Sequence, residues 1–135
     1  MDTSTKSKVA FATGSRADYG IVRRYLKLLD DDPAIDLSIL VTGAFLNRPT
    51  ASVDIVKEDG FPLALKFPRI DSLSEIGVAH SMARALEGFS AHFADNKYDL
   101  LIILGDRYEM LSVATAAAMQ RIPILHIHGG EATFA

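Results

Sequence analysis

The chain contains no cysteine, which excludes disulfide bonds and thiolate metal sites. This composition fits a cytoplasmic protein, because disulfides are rare in that compartment. Residues 1–8 are polar and lack the apolar stretch of a secretory signal, so we expect no signal peptide there. The longest apolar runs, such as residues 100–104, are far too short to cross a bilayer, and we therefore expect no membrane association.

An excess of positive charge is also lacking. The 135 residues include 14 basic and 17 acidic side chains, giving a net charge of -3, so a nucleic-acid partner is not expected. The length suits one domain with a real hydrophobic core. We predict a disordered tail over residues 1–7 and a single domain, cut short at its end, over residues 8–135.

Apolar runs that indicate strands alternate with amphipathic stretches that indicate helices. Because the strands are continuous apolar runs, both faces of the sheet should be covered by helices. The pattern predicts a doubly wound α/β domain, Rossmann-like, with five parallel strands in the order 3-2-1-4-5. The predicted strands cover residues 8–13, 37–42, 63–67, 98–104 and 123–127, and helices are predicted from 19 to about 30, over 50–59, from 72, and over 106–119.

Helical periodicity predicts which side chains face the core. In the first helix these are Ile21, Val22, Tyr25, Leu26, Leu28 and Leu29. Ser72 and Glu75 have the spacing of a capping box at the start of the third helix. The apolar stripe predicted for that helix consists of Ile76, Ala79, Met82, Ala83, Leu86, Phe89 and Phe93.

The first of three strand-end motifs is Gly14-Ser-Arg-Ala-Asp-Tyr-Gly20. A turn between a strand and a helix offers backbone N–H groups to an anion, and Arg16 could grip a phosphate in bidentate fashion. The glycine spacing matches neither the dinucleotide fingerprint nor a P-loop. The alternative is a plain turn in which Asp18 caps the helix and Arg16 is solvated.

The second and third motifs follow the fourth and fifth strands. Asp106 is either a helix cap or a carboxylate that moves a proton, and Arg107 beside it could bind a negative substrate, whereas Glu109 is interpreted as surface charge. Strand alternation predicts that His126 and His128 share one face, with Glu131 nearby. This cluster fits acid/base chemistry or a metal site; we expect no metal, because no further ligands accompany it.

Four segments, in their order along the chain, are more specific together than any one of them. The segments are Gly14-Ser-Arg-Ala-Asp-Tyr-Gly20, Val41-Thr-Gly43, Leu104-Gly-Asp-Arg-Tyr-Glu109 and Ile122-Pro-Ile-Leu-His-Ile-His-Gly-Gly-Glu131. They resemble the hydrolysing UDP-N-acetylglucosamine 2-epimerases, and in particular the branch that supplies sialic acid and related nonulosonic acids. The resemblance covers nearly the whole chain after Lys8.

The resemblance implies one half of a two-domain enzyme of the glycosyltransferase-B type, which forms homo-oligomers when full length. It implies loss of UDP from UDP-N-acetylglucosamine by anti elimination, followed by hydration to N-acetylmannosamine, with no cofactor. Matching positions make Asp106 catalytic and assign Arg16, Gly20, Arg107 and His126 to substrate binding.

The chain departs from the family pattern at two positions. His128 stands where relatives carry a catalytic glutamate, so the second acid/base group is either His128 or Glu131, and we favour Glu131. Phe45 stands where relatives often carry histidine. We predict that Asp106 and Glu131 face the crevice together, with His128 close by.

Three other functions remain open at this point. The first is an epimerase of a diacetamido sugar nucleotide, of the UDP-diacetylbacillosamine type. The second is the donor half-domain of a glycosyltransferase, and the third is a nucleotide-binding module without catalysis. Acidic and histidine groups at the ends of the fourth and fifth strands favour an epimerase over the last two.

Overall fold

The computed structural model of the chain describes residues 5–43, 52–68 and 74–130. Strands and helices alternate along these residues, as the sequence predicted. The strands are β1 (Ser7–Thr13), β2 (Ile35–Gly43), β3 (Leu63–Pro68), β4 (Leu100–Leu104) and β5 (Ile124–Ile127). The helices are α1 (Arg16–Asp31), α2 (Ser52–Glu58), α3 (Glu75–Asp95) and α4 (Tyr108–Met119).

The five strands form one parallel sheet in the order β3-β2-β1-β4-β5. The predicted fold class and strand order are therefore confirmed. The order reverses beside β1, which pairs with β2 on one side and with β4 on the other. In such sheets, the place where the order reverses opens a crevice at the carboxyl ends of the strands, where ligands bind.

Two hydrophobic clusters cover the two faces of the sheet. On one face, α1 and α2 pack on alternate strand residues such as Phe11, Ile39 and Ile102. On the other face, α3 and α4 pack on the intervening residues, such as Ala12, Leu40 and Ile103. This alternation follows from the period of two in strands, and it explains why buried parallel strands are apolar throughout.

The core-facing side of α1 is narrower than predicted. Val22 and Leu26 are buried and Leu29 is partly buried, but Ile21, Tyr25 and Leu28 are exposed. Tyr19 completes the buried face, and its hydroxyl donates a hydrogen bond to Asp59, which also pairs with Arg23. Burial and the carboxylate of Asp59 raise the pKa of the Tyr19 phenol. These contacts tie the first turns of α1 to the segment after α2.

The prediction for α3 was wrong about its start and about three of its seven core-facing residues, whereas Phe89 and Phe93 are confirmed as buried. Ser74 caps the helix by accepting a hydrogen bond from the Gly77 N–H at 3.1 Å, so the capping box that begins at Ser72 does not form the cap. Helix α3 packs against α4, and the small residues Gly77, Ser81 and Ala85 on its buried face permit a close approach. Ile76, Ala79 and Ala83 are exposed, and Met82 and Leu86 are partly buried. The buried stripe consists of Gly77, Ser81, Ala85, Phe89 and Phe93.

None of the helices in the described segments combines the length and apolar character needed to cross a membrane. The longest, α3, contains charged residues along its length, among them Arg84 and Glu87.

Candidate functional site

The three sequence motifs meet at one edge of the sheet. Strands β1, β4 and β5 are adjacent and parallel, so the segments that follow their carboxyl ends emerge side by side. The tertiary structure therefore brings together the β1–α1 turn, the β4–α4 turn and the residues after β5. This edge also contains the place where the strand order reverses, which is the expected ligand crevice.

Ser15, rather than Asp18, caps helix α1. The Ser15 hydroxyl accepts a hydrogen bond from the Asp18 N–H at 3.1 Å, and Thr13 donates its hydroxyl to the Ser15 carbonyl at 3.1 Å. Helix α1 consequently begins at Arg16, earlier than predicted. This arrangement presents the N-terminus of a long helix at the crevice, where its N–H groups and dipole favour an anion.

Arg16 and Gly20 lie in the first turns of α1. Arg16 is the first helical residue, and its side chain lies outside the described part of the structure. Gly20 is exposed, and a Cβ atom added to it would meet no heavy atom within 4 Å. Packing therefore does not require glycine at position 20. The predicted substrate-binding roles of both residues stay predictions.

Asp106 is not a helix cap. Gly105 turns the chain with a φ of +79°, and the first helical residue of α4 is Tyr108, which places Arg107 at the N-cap position without a side-chain capping bond. The Asp106 side chain is exposed at the carboxyl end of β4. Helix capping therefore does not explain the aspartate at position 106, and its carboxylate is accessible to a ligand in the crevice.

The interpretation of Glu109 as a surface charge was wrong. Its side chain is buried, with 2% of the residue exposed, in the first turn of α4. Its Oε2 atom accepts a hydrogen bond from Nε of Arg107 at 3.3 Å. Glu109 lies on the core side of α4, where Met110 and Val113 are also buried. A charged side chain on the core side is the feature that the sequence reasoning missed.

His126 links the ends of β4 and β5. Its Nε2 atom lies 2.6 Å from the Gly105 carbonyl oxygen, and the Gly105 N–H donates to the Ile127 carbonyl at 2.9 Å. Because a carbonyl oxygen only accepts, Nε2 of His126 carries the proton. A Cβ atom at Gly129 would lie 2.1 Å from Nδ1 of the same ring, so the imidazole occupies the space that a larger residue would need.

His128 does not continue the alternation of β5. The strand ends at Ile127, and His128 adopts a φ of +55° in the left-handed region, so the argument for a face shared with His126 fails. His128 is exposed next to the crevice edge. Glu131 and Phe45 lie outside the described residues, so the predicted pairing of Asp106 with Glu131 stays a prediction.

The described part of the edge combines a carboxylate, a guanidinium, a helix N-terminus and two imidazoles. The guanidinium and the helix N-terminus suit an anionic group such as a phosphate. The carboxylate of Asp106 and the imidazoles can move protons. Within residues 5–43, 52–68 and 74–130, no group of three or more histidine or acidic residues is arranged to hold a metal ion.

Known proteins resemble this chain in sequence and in fold. The family model described as UDP-N-acetylglucosamine 2-epimerase matches residues 27–135. The chain belongs to the UDP-N-acetylglucosamine 2-epimerase family. The polysialic acid biosynthesis protein P7 of Escherichia coli is 43% identical over 130 residues, which cover 95% of this chain and 33% of that protein. A hydrolysing UDP-N,N'-diacetylbacillosamine 2-epimerase of Legionella pneumophila is 39% identical over 126 residues, 92% of this chain and 33% of the relative.

The UDP-N-acetylglucosamine 2-epimerase family also supplies structures with the same fold. The crystal structure of the Neisseria meningitidis enzyme bound to UDP-N-acetylglucosamine superimposes with a TM-score of 0.75 at 17% identity. The match covers 93% of this chain and 33% of the Neisseria chain. The chain thus spans about a third of the length of the relatives it matches, and it forms a single Rossmann-like domain of the epimerase family.

Proposed function

We propose that the chain is the first domain of a hydrolysing UDP-N-acetylglucosamine 2-epimerase and contributes one wall of a two-domain active site. The observation that supports this most is the meeting of Asp106, Arg107 and His126 at the carboxyl ends of β4 and β5. Membership of the family supports the reaction type, and the UDP-N-acetylglucosamine bound in the Neisseria structure supports a UDP-sugar as the substrate class.

The proposed reaction has two steps. A base removes the proton from C2 of the sugar while the C1–O bond breaks, and UDP leaves from the opposite face. Water then adds across the resulting double bond, with the hydroxyl on C1 and a proton on C2, to give N-acetylmannosamine. The overall balance is one UDP-sugar and one water consumed for one free sugar and one UDP.

Asp106 is the proposed catalytic carboxylate, because it is exposed at the crevice and has no capping duty. Glu131 is the proposed second acid/base group, with His128 as the competing candidate. We assign the diphosphate to Arg16, Arg107 and the N-terminus of α1, and we assign sugar contacts to His126 and the region of Gly20. No redox cofactor is needed, since elimination of UDP and addition of water together cause no net oxidation or reduction of the sugar.

A diacetamido sugar nucleotide is the second candidate substrate. The Legionella relative, which is named for UDP-N,N'-diacetylbacillosamine, is nearly as similar as the Escherichia coli relative, which is named for polysialic acid biosynthesis. The two substrates differ on the sugar ring and share the UDP moiety, so the described anion-binding elements suit both. A panel of the two sugar nucleotides, assayed with the complete protein for UDP and for the free sugar, separates these candidates.

The test of the mechanism is the replacement Asp106→Asn in the complete protein. We expect turnover to fall by about 10²–10⁴-fold, because asparagine cannot take up the proton. We expect thermal stability to be retained, because the Asp106 side chain is exposed and makes no capping bond. Asp95→Asn, at the exposed end of α3, is the matched control. Near-normal turnover by Asp106→Asn would remove Asp106 from the mechanism.

The 135 residues alone should not turn over the substrate. A two-walled cleft positions reacting groups from both sides, and loss of one wall removes that positioning. Incubation of the purified chain with UDP-N-acetylglucosamine, followed by an assay for released UDP, checks this expectation. Release at a rate near that of the complete protein would contradict the two-domain proposal.

A further inference from the structure

Glu109 is a buried carboxylate without an evident structural reason. Only 3% of its side chain is exposed, whereas its partner Arg107 keeps 39% of its side chain exposed. Oε2 accepts the hydrogen bond from Nε of Arg107. Among the described residues, Oε1 has no hydrogen-bond partner.

Stability does not explain a carboxylate at this position. Removal of a charge from water is costly, and an ion pair with one unsatisfied oxygen recovers that cost poorly. The dipole of α4 favours an acidic residue in its first turn, but an exposed carboxylate would gain the same benefit without burial. An apolar side chain of similar volume would pack well beside Met110 and Val113, which are buried in the same helix.

The carboxylate lies between two loops of the candidate site. Oε2 is 3.8 Å from the point where a Cβ atom of residue 14 would stand, so Glu109 lies against Gly14 in the β1–α1 turn. It also bonds Arg107 in the β4–α4 turn. Glu109 therefore bonds one of the two segments to which we assign the anionic part of the ligand, and it lies beside the other.

The bond to Nε constrains how Arg107 can bind a ligand. A guanidinium presents five N–H groups in a rigid plane. Because Nε of Arg107 is bonded to Glu109, its two terminal nitrogens are the ones available to a ligand. Among the described residues, these two nitrogens have no protein partner. Two parallel N–H groups on the terminal nitrogens fit two oxygens of a phosphate.

We propose that Glu109 is a positioning residue: it holds Arg107 by Nε from beneath the crevice, so that the terminal nitrogens form a preset fork for the diphosphate of a nucleoside-diphosphate sugar. The inference deepens the proposed function and rests on it for the identity of the ligand. Glu109 acts through Arg107 and does not itself touch the substrate. A preset fork loses less side-chain entropy on binding than a free arginine would.

Glu109→Met is the decisive variant. It removes the acceptor and keeps the volume, and the released Arg107 stays hydrated, so no unpaired charge is left buried. We expect the melting temperature to stay the same or rise. We expect the NMR order parameter of the Arg107 Nε–H to fall. We expect the affinity of the chain for UDP to fall by about two- to tenfold, the usual cost of ordering one flexible side chain on binding.

Two controls separate positioning from a general effect. Glu87→Met changes an exposed glutamate on α3 and should alter neither quantity. In the Arg107→Gln background, Glu109→Met should weaken UDP binding no further, because a residue that acts through Arg107 has nothing left to position. Should Glu109→Met fail to fold, Glu109→Gln supplies the same comparison, with a neutral and weaker acceptor and a smaller loss of Arg107 order.

The outcomes distinguish this inference from the proposed function. The positioning role would be overturned if the NMR order parameter of the Arg107 Nε–H is unchanged in the Glu109 variants. It would also be overturned if the losses of UDP affinity caused by Arg107→Gln and Glu109→Met are additive in the double variant. A large fall in melting temperature with unchanged UDP affinity would likewise overturn it and make Glu109 structural. If the unaltered chain shows no UDP binding, the proposed function of this domain fails, while the NMR order of Arg107 still decides whether Glu109 holds it.

Discussion

Replacement of Gly129 by alanine tests the contact between the ends of β4 and β5. The added Cβ would lie 2.1 Å from Nδ1, 2.2 Å from Cε1 and 2.5 Å from Cγ of His126. The shortest ordinary contact for such an atom is 3.4 Å, so the imidazole must retreat by about 1.3 Å, the difference between 3.4 and 2.1 Å. A ring displaced that far cannot keep its 2.6 Å hydrogen bond to the Gly105 carbonyl.

The expected cost of Gly129→Ala is about 1 kcal/mol, the usual net value of one hydrogen bond. It is not larger, because His126 is exposed and water can satisfy the freed groups. For a chain of this size the melting temperature should fall by roughly 4 °C. The ring ¹⁵N spectrum should show that Nε2 of His126 has lost its hydrogen bond.

The matched background for this test is His126→Ala. With the ring removed, the three nearest atoms that the added Cβ would meet are gone, so the cost of Gly129→Ala should be smaller in the double variant. Calorimetry of the four proteins gives the coupling between the two positions directly. An unchanged ring spectrum together with an unchanged melting temperature in Gly129→Ala would refute the close packing of His126 on residue 129.

Two other predictions test the core and the pH dependence of stability. Leu26→Ala should lower the free energy of unfolding by about 2–5 kcal/mol, because Leu26 is fully buried. Leu28 on the same helix is 70% exposed, so Leu28→Ala should change it by less than about 0.5 kcal/mol. Urea unfolding of both variants measures the two values, and equal losses would contradict the narrow buried face of α1. Burial holds the pKa of His92 below its ordinary value of 6.5, so the unfolded chain takes up a proton first as the pH falls, and stability should decline below about pH 6.5. His92→Gln should flatten that decline in urea unfolding series at several pH values, and an unaltered slope would exclude His92 as its source.

Strand order and fold class were predictable from the sequence because they depend on patterns that extend over the whole chain. Apolar runs separated by helical stretches leave few arrangements once crossovers are right-handed, and the order β3-β2-β1-β4-β5 follows. The same order determines that the β4 and β5 ends are neighbours. The location of Asp106, Arg107 and His126 at one edge of the sheet was therefore implied before any coordinates.

The faces of individual helices were less predictable. The apolar residues of α1 cover a wide arc, and only the side that meets the sheet is buried, so Ile21, Tyr25 and Leu28 remain exposed. In α3 the partner helix selected small residues such as Ser81 and Ala85 over larger apolar ones such as Ile76. Hydrophobic periodicity measures what a helix could bury, while the neighbouring elements decide what it does bury.

The sequence by itself determined the doubly wound sheet, the edge at which its polar side chains gather and the resemblance to an epimerase family, because period, order of elements and motif spacing are all properties of the linear chain. Only the tertiary structure decided that Ser15 and not Asp18 caps α1, that Asp106 has no capping duty, and that Glu109 is buried beneath Arg107. The caps depend on the residue at which each helix begins, and the burial of Glu109 depends on elements distant in the chain, such as the turn at Gly14. A charged side chain is removed from water only when the rest of the fold surrounds it, and no local pattern reports that.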